Sequence, residues 1–411
     1  MPHSLPAPHA RAFVFWVYTA GFFLSCVLRS ANASLDEALR EAFSLGEASV
    51  GLLSSLFFLA FAATQLPLGY LIDRIGPRRA QLLVLPLAVA GLVASAFASG
   101  FTALAAGRVL LGTGFAISLM ASLCANRAWF PLASLAAVNG AAMGIGSSGA
   151  AFAGAPLAGL ARLLGWTGLH LSLAAGTAAV LLLIYLLPKD AAAAPPEGAR
   201  QARLPQVLRD PVFLRLVPLA ALAQGSYLAY LGYWIHPWLR TVAAFDADRA
   251  SMGLSLAALS MVAGYLLTGR ILRLLARWGW SLEGGSILGM VMFAACGLAL
   301  AVLPATMALP LWLAYGFVGA LNVVAFSVLS ATLPLSIQGT AVTLMNLLIF
   351  AAGFVVQAAL GFGIESMKAA GLTAAGAHRI GLLAISVALI ALAGRWRRLH
   401  GPARSGTLAG Q

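Results

Sequence analysis

Long apolar runs of about 20 residues recur along the whole chain and alternate with short polar segments. A run of this length crosses the hydrocarbon core of a bilayer as an α-helix, in which the backbone polar groups satisfy one another. The pattern predicts an all-α integral membrane protein with twelve transmembrane helices. Their predicted bounds are 12–32, 48–70, 80–99, 103–124, 135–160, 167–187, 212–235, 251–272, 284–303, 308–330, 341–364 and 376–395.

One connection is longer and more polar than the others. Residues 188–211 carry a Pro-Pro-Glu-Gly stretch and several basic side chains, which is typical of a linker between structural units. It predicts two six-helix bundles, an N-terminal one over residues 1–187 and a C-terminal one over residues 212–411, joined by a cytoplasmic linker.

The composition excludes a soluble domain. The chain is 61% hydrophobic and only 9% charged, whereas soluble domains carry about 25% charged residues. The lipid bilayer must therefore be its solvent. Arg11 precedes an apolar run that lacks a small-residue cleavage site, so we interpret this run as a first span and not as a signal peptide.

The net charge of +13 is explained by membrane topology and not by nucleic-acid binding. With the N-terminus inside, 17 of the 25 Lys and Arg residues fall in cytoplasmic segments and seven in external ones. Basic residues are concentrated on the cytoplasmic side of membrane proteins. The count predicts a multi-pass protein of the cell (inner) membrane with both termini cytoplasmic.

A charged motif fills the loop between the second and third apolar runs. It has the spacing G-x-x-x-D-R-x-G-x-R-R and comprises Gly69, Asp73, Arg74, Gly76, Arg78 and Arg79. The alternative interpretation is a basic turn that only sets topology. The motif resembles the loop between the second and third helices of the major facilitator superfamily.

This resemblance implies a secondary transporter that works by alternating access, with a mid-membrane substrate site between its halves. It also implies that the motif gates the transport cycle, that the protein is not an enzyme, and that it uses neither a cofactor nor a metal. We expect a monomer. Within the superfamily the chain resembles bacterial permeases for organic anions or sugar phosphates. A non-transporting sensor or receptor and a drug or metabolite efflux antiporter remain alternatives.

The first span carries a polar and aromatic stripe that ends in an arginine. Tyr18, Phe22, Ser25 and Arg29 are spaced so that they share one helical face. A guanidinium there suits a carboxylate or phosphate, which it binds bidentately. Alternatively, Arg29 extends to the outer surface or pairs with Asp36 or Glu37.

Other polar residues within the spans are further candidates for substrate contact. Arg108 lies in a Gly-rich segment that resembles the fourth-span motif of the superfamily. A buried arginine needs a partner or a wet cavity. The remaining candidates are Asn139, Gln224, Tyr227, Asn346 and Gln357. The asparagines and Gln357 equally suit hydrogen bonds between helices. The glycines of residues 144–149 lack the Lys-Ser or Lys-Thr ending of a phosphate loop, so we expect them to allow close helix packing.

None of the twelve acidic residues lies well inside a predicted span. With Arg29 and Arg108 as the intramembrane charges, the central field is expected to be positive, which favours a small anionic substrate over a cationic drug. A coupling proton, as in a symporter, would use His170, His236, a carboxylate at a span end, or the substrate itself.

Overall fold

A computed structural model of the chain describes residues 8–131, 134–187 and 204–400. All regular elements in these ranges are helices. The α-helices are α1 (Pro8–Ser34), α2 (Asp36–Phe43), α3 (Glu47–Ile75), α4 (Pro77–Ala96), α5 (Phe101–Phe115), α6 (Ser118–Trp129), α7 (Leu135–Ser147), α8 (Gly149–Phe152), α9 (Ala155–Leu186), α10 (Leu204–Val207), α11 (Pro211–Ala229), α12 (Ile235–Thr241), α13 (Ala247–Arg277), α14 (Leu282–Val302), α15 (Ala308–Gly319), α16 (Val324–Thr332), α17 (Leu335–Ala369) and α18 (Ala374–His400). A π-helix covers Tyr230–Trp234, and 3₁₀-helices cover Ala305–Met307 and Ala320–Val323.

The predicted all-α membrane fold is confirmed. Within the described ranges, eleven helical segments are long and apolar enough to cross a bilayer. They correspond to the predicted spans except the fifth, which the structure builds from α7, α8 and the beginning of α9. Most of the predicted linker, residues 188–203, lies outside the described residues.

Gly165 separates the end of the fifth predicted span from the sixth, although both belong to α9. Its backbone has φ 65° and ψ 178°, a conformation that glycine adopts readily because it has no Cβ. The 32-residue α9 is therefore not one straight helix, and the chain changes direction where the sequence predicts the fifth and sixth spans to be joined.

Helix irregularities interrupt three of the other spans. α5 and α6 follow each other around Ala116, the π-helix joins α11 to α12, and a 3₁₀-helix joins α15 to α16. The sequence analysis did not predict α2, a short helix that follows the first span. π-Helical turns often lie at functional sites. The π-helix at Tyr230–Trp234 contacts α1, the helix that precedes α2.

The helices pack in two sets, with a seam between them. α4 lies against α5 and α9, whereas α13 lies against α15 and α14 lies against α18. The most extensive contact between the first six and the last six predicted spans joins α3 to α17. Phe61 stacks on Phe350 there, with ring centroids 4.1 Å apart. This seam is where the sequence predicts a substrate site.

Candidate functional site

The end of the seam at Asp36, here named the Asp36 end, is closed by a polar cluster. The hydroxyl of Tyr233 donates to Asp36 at 2.5 Å, and Arg40 donates to Asp36 at 2.9 Å and to Tyr233 at 3.1 Å. Burial opposes the charge of Arg40, but Tyr233 and Asp36 outweigh it and raise the pKa of the guanidinium above its ordinary value. Arg240 lies 3.5 Å from Glu37. Thus α2 fastens the first half to the span that begins with α11.

Further contacts extend this closure along the same end. Lys368 pairs with Glu47 at 2.8 Å, and Glu365 accepts a hydrogen bond from the backbone N–H of Ala48 at 2.8 Å. Arg162 also pairs with Asp248 across the seam. Exposed pairs of this kind contribute little individually, but together they define one closed conformation.

The seam stays closed near its middle. Asn346 donates to the side-chain oxygen of Gln65 at 2.9 Å, and Gln65 in turn donates to the carbonyl of Ala116 at 3.4 Å. Asn346 was predicted to contact substrate or to join helices. In this conformation it hydrogen-bonds across the seam, so it connects the two halves next to the Phe61–Phe350 stack.

At the opposite end, named the Asp73 end, the acid of the charged motif is exposed and unpaired among the described residues. Asp73 and Arg74 are exposed, and Asp73 forms no hydrogen bond or ion pair with any described residue. A Cβ at Gly69 would meet nothing within 4 Å. Arg79 is also exposed.

Other motif residues shape the turn itself. Gly76 adopts φ 81° and donates its N–H to the carbonyl of Ile72 at 2.8 Å, which ends α3 before α4 begins. Arg78 donates to the carbonyl of Ile184 at 3.1 Å and also to that of Tyr185. This arginine therefore ties the loop to the end of α9, in the same half of the protein.

Arg29 points into the seam and not to the outer surface. Its guanidinium is half-buried and donates to the thiol sulfur of Cys26 at 3.4 Å. It lies within electrostatic range of Tyr227 and Tyr265, both from the last six spans. The suggested pairing with Asp36 or Glu37 is wrong, because those acids contact Arg40, Tyr233 and Arg240 instead. The charge of Arg29 thus has no acidic partner among the described residues.

The other stripe residues line the same helix but are enclosed. Tyr18, Phe22 and Ser25 are all buried. Phe22 packs so closely on Gly146 that a Cβ there would lie 2.0 Å from the ring, and a Cβ at Gly149 would lie 2.2 Å from the carbonyl of Phe23. The predicted role in close helix packing is confirmed for Gly146 and Gly149, whereas Gly144 has only an ordinary contact of 3.7 Å with Leu266.

Across the seam from Arg29, Gln224 lies beside Tyr265. The Oε1 atom of Gln224 is buried and has no hydrogen-bond partner, while the Tyr265 hydroxyl lies next to the same side chain. Tyr227 faces the core of its own half, where its hydroxyl donates to the carbonyl of Gly316 at 3.2 Å. Arg29, Gln224 and Tyr265 form the group that we name the seam triad.

Arg108 lies apart from the seam triad. It is buried, and its Nη1 donates to the carbonyl of Leu28 at 2.9 Å. No described acid pairs with it. His170, whose Nδ1 lies 2.8 Å from the carbonyl of Trp166, is within electrostatic range of Arg108. Arg108 therefore supports the first span through its backbone and adds positive charge to this side of the protein.

The remaining candidates are engaged elsewhere. Asn139 accepts a hydrogen bond from Asn126 at 3.0 Å, which joins α6 to α7. Gln357 is fully buried, with neither side-chain polar atom hydrogen-bonded, and its carbonyl accepts from Trp234 at 3.3 Å. In this conformation neither side chain is brought to Arg29.

The candidate proton carriers lie in different places. His170 is near Arg108, whereas His236 is buried at the Asp36 end near Asp36, Glu37 and Arg240. No three His, Cys, Asp or Glu side chains in the described ranges are grouped to hold a metal ion.

Sequence reasoning missed two residues of the seam, Tyr265 and Gln65. Tyr265 lies in an apolar span with no periodic polar stripe around it, and Gln65 precedes the motif loop by only a few residues. Neither carries a local signal, because their partners, Gln224 for Tyr265 and Ala116 and Asn346 for Gln65, lie far away along the chain.

Comparison with known proteins agrees with this architecture. The profile of the Major Facilitator Superfamily matches residues 17–358. An uncharacterised transporter of the same type from Mycobacterium tuberculosis is 31% identical over 180 residues. That alignment covers 42% of this chain and 30% of the relative, so the chain spans less than a third of the length of this relative.

Solved structures show the same fold. A D-xylose–proton symporter superposes with a TM-score of 0.75 at 16% identity, covering 93% of this chain and 97% of that one. A bacterial homologue of the human lysosomal transporter Spinster, in an inward-facing and unoccupied conformation, superposes with a TM-score of 0.74 at 18% identity. The match covers 95% of this chain and 97% of that one. A nucleoside transporter superposes with a TM-score of 0.74 at 14% identity, covering 95% of this chain and 100% of that one. The chain therefore belongs to the major facilitator superfamily, whose members are multi-pass membrane transporters.

Proposed function

We propose that the protein is a secondary transporter that moves a small organic anion across the cell (inner) membrane by alternating access. In this proposal it is a carrier and not an enzyme. The observation that carries the substrate class is Arg29, a half-buried guanidinium that faces the seam and has no acidic partner within the described parts of the chain. A charged side chain at this depth is a functional candidate by default.

The seam triad suits an anion with further polar groups. The Arg29 guanidinium offers planar, paired N–H donors for a carboxylate or phosphate. Gln224 and Tyr265 supply an amide and a hydroxyl from the other half of the protein. A ligand held by both halves would favour their approach, because its contacts are complete only when the halves close around it.

We infer that residues 1–187 and 212–411 are the two moving units and that residues 188–211 link them. The salt bridges and hydrogen bonds at the Asp36 end, together with the exposed motif at the Asp73 end, support an inward-facing conformation if the Asp73 end is cytoplasmic. A gate role for Asp73 fits this state, since its carboxylate would gain partners only when the Asp73 end closes.

The substrate class is tested by thermal stabilisation of the purified protein. A ligand that binds the folded state raises its stability by mass action. Organic anions, among them carboxylates and sugar phosphates, are expected to raise the melting temperature more than neutral or cationic analogues of similar size. The best anion should also be taken up by proteoliposomes. If a cation gives the largest shift, the anion proposal is wrong, while membership of the superfamily still stands.

Both termini are predicted to be cytoplasmic. The 17-to-7 distribution of basic residues favours this orientation, and an even number of crossings puts both ends on one side. Reporter fusions placed before residue 1 and after Gln411 should both give the cytoplasmic signal. A fusion after Ala244, in the connection before α13, should give the external signal. Opposite signals from the two termini would contradict the twelve-span topology.

A further inference from the structure

Three arginines line one face of α13 where it reaches the Asp73 end. Arg270, Arg273 and Arg277 are spaced three and four residues apart, so they share a face and extend over about 10 Å of the helix axis. All three are exposed, and none forms a hydrogen bond or an ion pair with a described residue. Two adjoining grooves of about 530 and 790 Å³ run along them.

This face lies at the edge of the seam, where α13 borders α7: the side chain of Leu266 would lie 3.7 Å from a Cβ on Gly144. Met252, Leu259 and Leu266 recur every seven residues on the same side of α13, and all three are exposed. On a membrane-spanning helix, an exposed stripe of leucine and methionine is suited to contact with acyl chains. Tyr265, a member of the seam triad, lies on a different side of the helix. The arginines therefore stand at the end of an exposed apolar stripe that borders the seam.

The adjoining residues place this end of α13 at the membrane surface. Trp278 and Trp280 follow directly and are 68% and 45% exposed. Tryptophan is enriched at the level of the lipid headgroups. The grooves are also lined by Leu266 and Leu267, which precede the arginines, and by Leu274 between them, so a ligand held here would have its charge near the surface and its apolar part along the helix.

We propose that this surface, the α13 groove, binds the headgroup of an anionic phospholipid. A phosphodiester accepts paired hydrogen bonds from a guanidinium, and clustered arginines beside a membrane attract anionic lipids. Charge complementarity and the apolar stripe favour a lipid over a free anion, because a lipid contacts both the arginines and the leucines of the grooves, whereas a free anion contacts only the arginines. The α13 groove is separate from the seam triad, so this site does not depend on the identity of the transported solute.

The test compares phosphatidylglycerol, phosphatidylcholine and inorganic phosphate as ligands of the full chain in detergent. Lipid retained by the protein is counted by native mass spectrometry, and melting temperatures are recorded in parallel. Phosphatidylglycerol should be retained and should stabilise the protein more than phosphatidylcholine, and this preference should fall as the salt concentration rises. Inorganic phosphate alone should not reproduce the effect.

The variant Arg270→Gln/Arg277→Gln should weaken phosphatidylglycerol binding by about fivefold for each arginine removed. The matched control is Arg127→Gln/Arg209→Gln, which removes the same charge from exposed arginines elsewhere on the protein. Equal losses in both variants, equal retention of the two lipids by the unmodified protein, or equal stabilisation by inorganic phosphate would each overturn the proposal. The last two results need no variant, so the test does not rely on the variants folding.

Discussion

Replacing Arg29 with alanine is expected to weaken binding of the best anionic ligand by on the order of 2–5 kcal/mol, which is ~30-fold or more in affinity. The guanidinium is half-buried, and among the described side chains it donates a hydrogen bond only to the Cys26 thiol, which is a weak acceptor. Its charge is therefore available to a ligand. The measurement is a titration of the purified variant with the anion selected by the stability screen.

The conservative variant separates charge from geometry. Arg29→Lys keeps the positive charge but loses the planar fork, so it should recover only part of the affinity. Removing Gln224 or Tyr265, the neutral members of the seam triad, should weaken binding less than removing Arg29, because neither carries charge. If Arg29→Ala and Arg108→Ala both change the affinity by less than about threefold (roughly 0.65 kcal/mol), the anion proposal fails.

Arg108 is expected to affect both ligand affinity and protein stability, although the sequence made it a candidate for substrate contact alongside Arg29. Its Nη1 is engaged by the carbonyl of Leu28, one residue before Arg29. Its removal takes away this side-chain donor, which supports the backbone next to Arg29. Arg108→Ala should therefore lower the stability of the protein as well as ligand affinity, and Arg108→Lys should restore only part of the affinity.

The helices were predictable because span length and apolarity are local properties of the sequence. An apolar run of about 20 residues must form a helix in lipid so that its backbone N–H and C=O groups are hydrogen-bonded. The observed helices lie where those runs lie. The interruption of the fifth span was not predicted. There, the close approach of Phe22 to Gly146 and of the Phe23 carbonyl to Gly149 is a tertiary constraint that the residue pattern does not contain.

The site was only partly predictable for the same reason. Arg29 stands out in the sequence because a charge within an apolar run is costly and rare. Tyr265 and Gln65 do not stand out, because tyrosine and glutamine are common near span ends and gain meaning only from partners far along the chain. Likewise, Asn139 and Asn346 had two possible roles in the sequence, and only the fold shows that they bond to Asn126 and Gln65.

The closure of the Asp36 end also depended on an element that the hydrophobic pattern does not reveal. α2 is only eight residues long, and from the sequence its charged residues are typical of an ordinary loop. Its contact with Tyr233 joins positions almost 200 residues apart in sequence. Such pairing arises from the way the two halves meet, so no local rule identifies it.

Asp73→Asn is expected to reduce transport at least tenfold while leaving ligand affinity within a few fold. The substitution removes a negative charge from an exposed position at the Asp73 end, remote from the seam triad. In the proposed cycle, Asp73 gains partners only when this end closes, so its loss destabilises the outward-facing state and shifts the protein toward the conformation described here. Uptake into proteoliposomes and ligand binding in detergent measure the two effects separately.

Tyr233→Phe is expected to shift the protein in the direction opposite to Asp73→Asn. It removes the hydroxyl that contacts Asp36 at 2.5 Å and Arg40 at 3.1 Å, and hydrogen bonds to charged groups contribute about 1.5–3 kcal/mol each. Because these contacts exist only with the Asp36 end closed, their loss should shift the population outward. Spin-label distances across the two ends should therefore change in opposite directions in Asp73→Asn and Tyr233→Phe. Changes in the same direction, or an unaltered transport rate for Asp73→Asn, would show that Asp73 is not a gate and that the motif serves only to set topology.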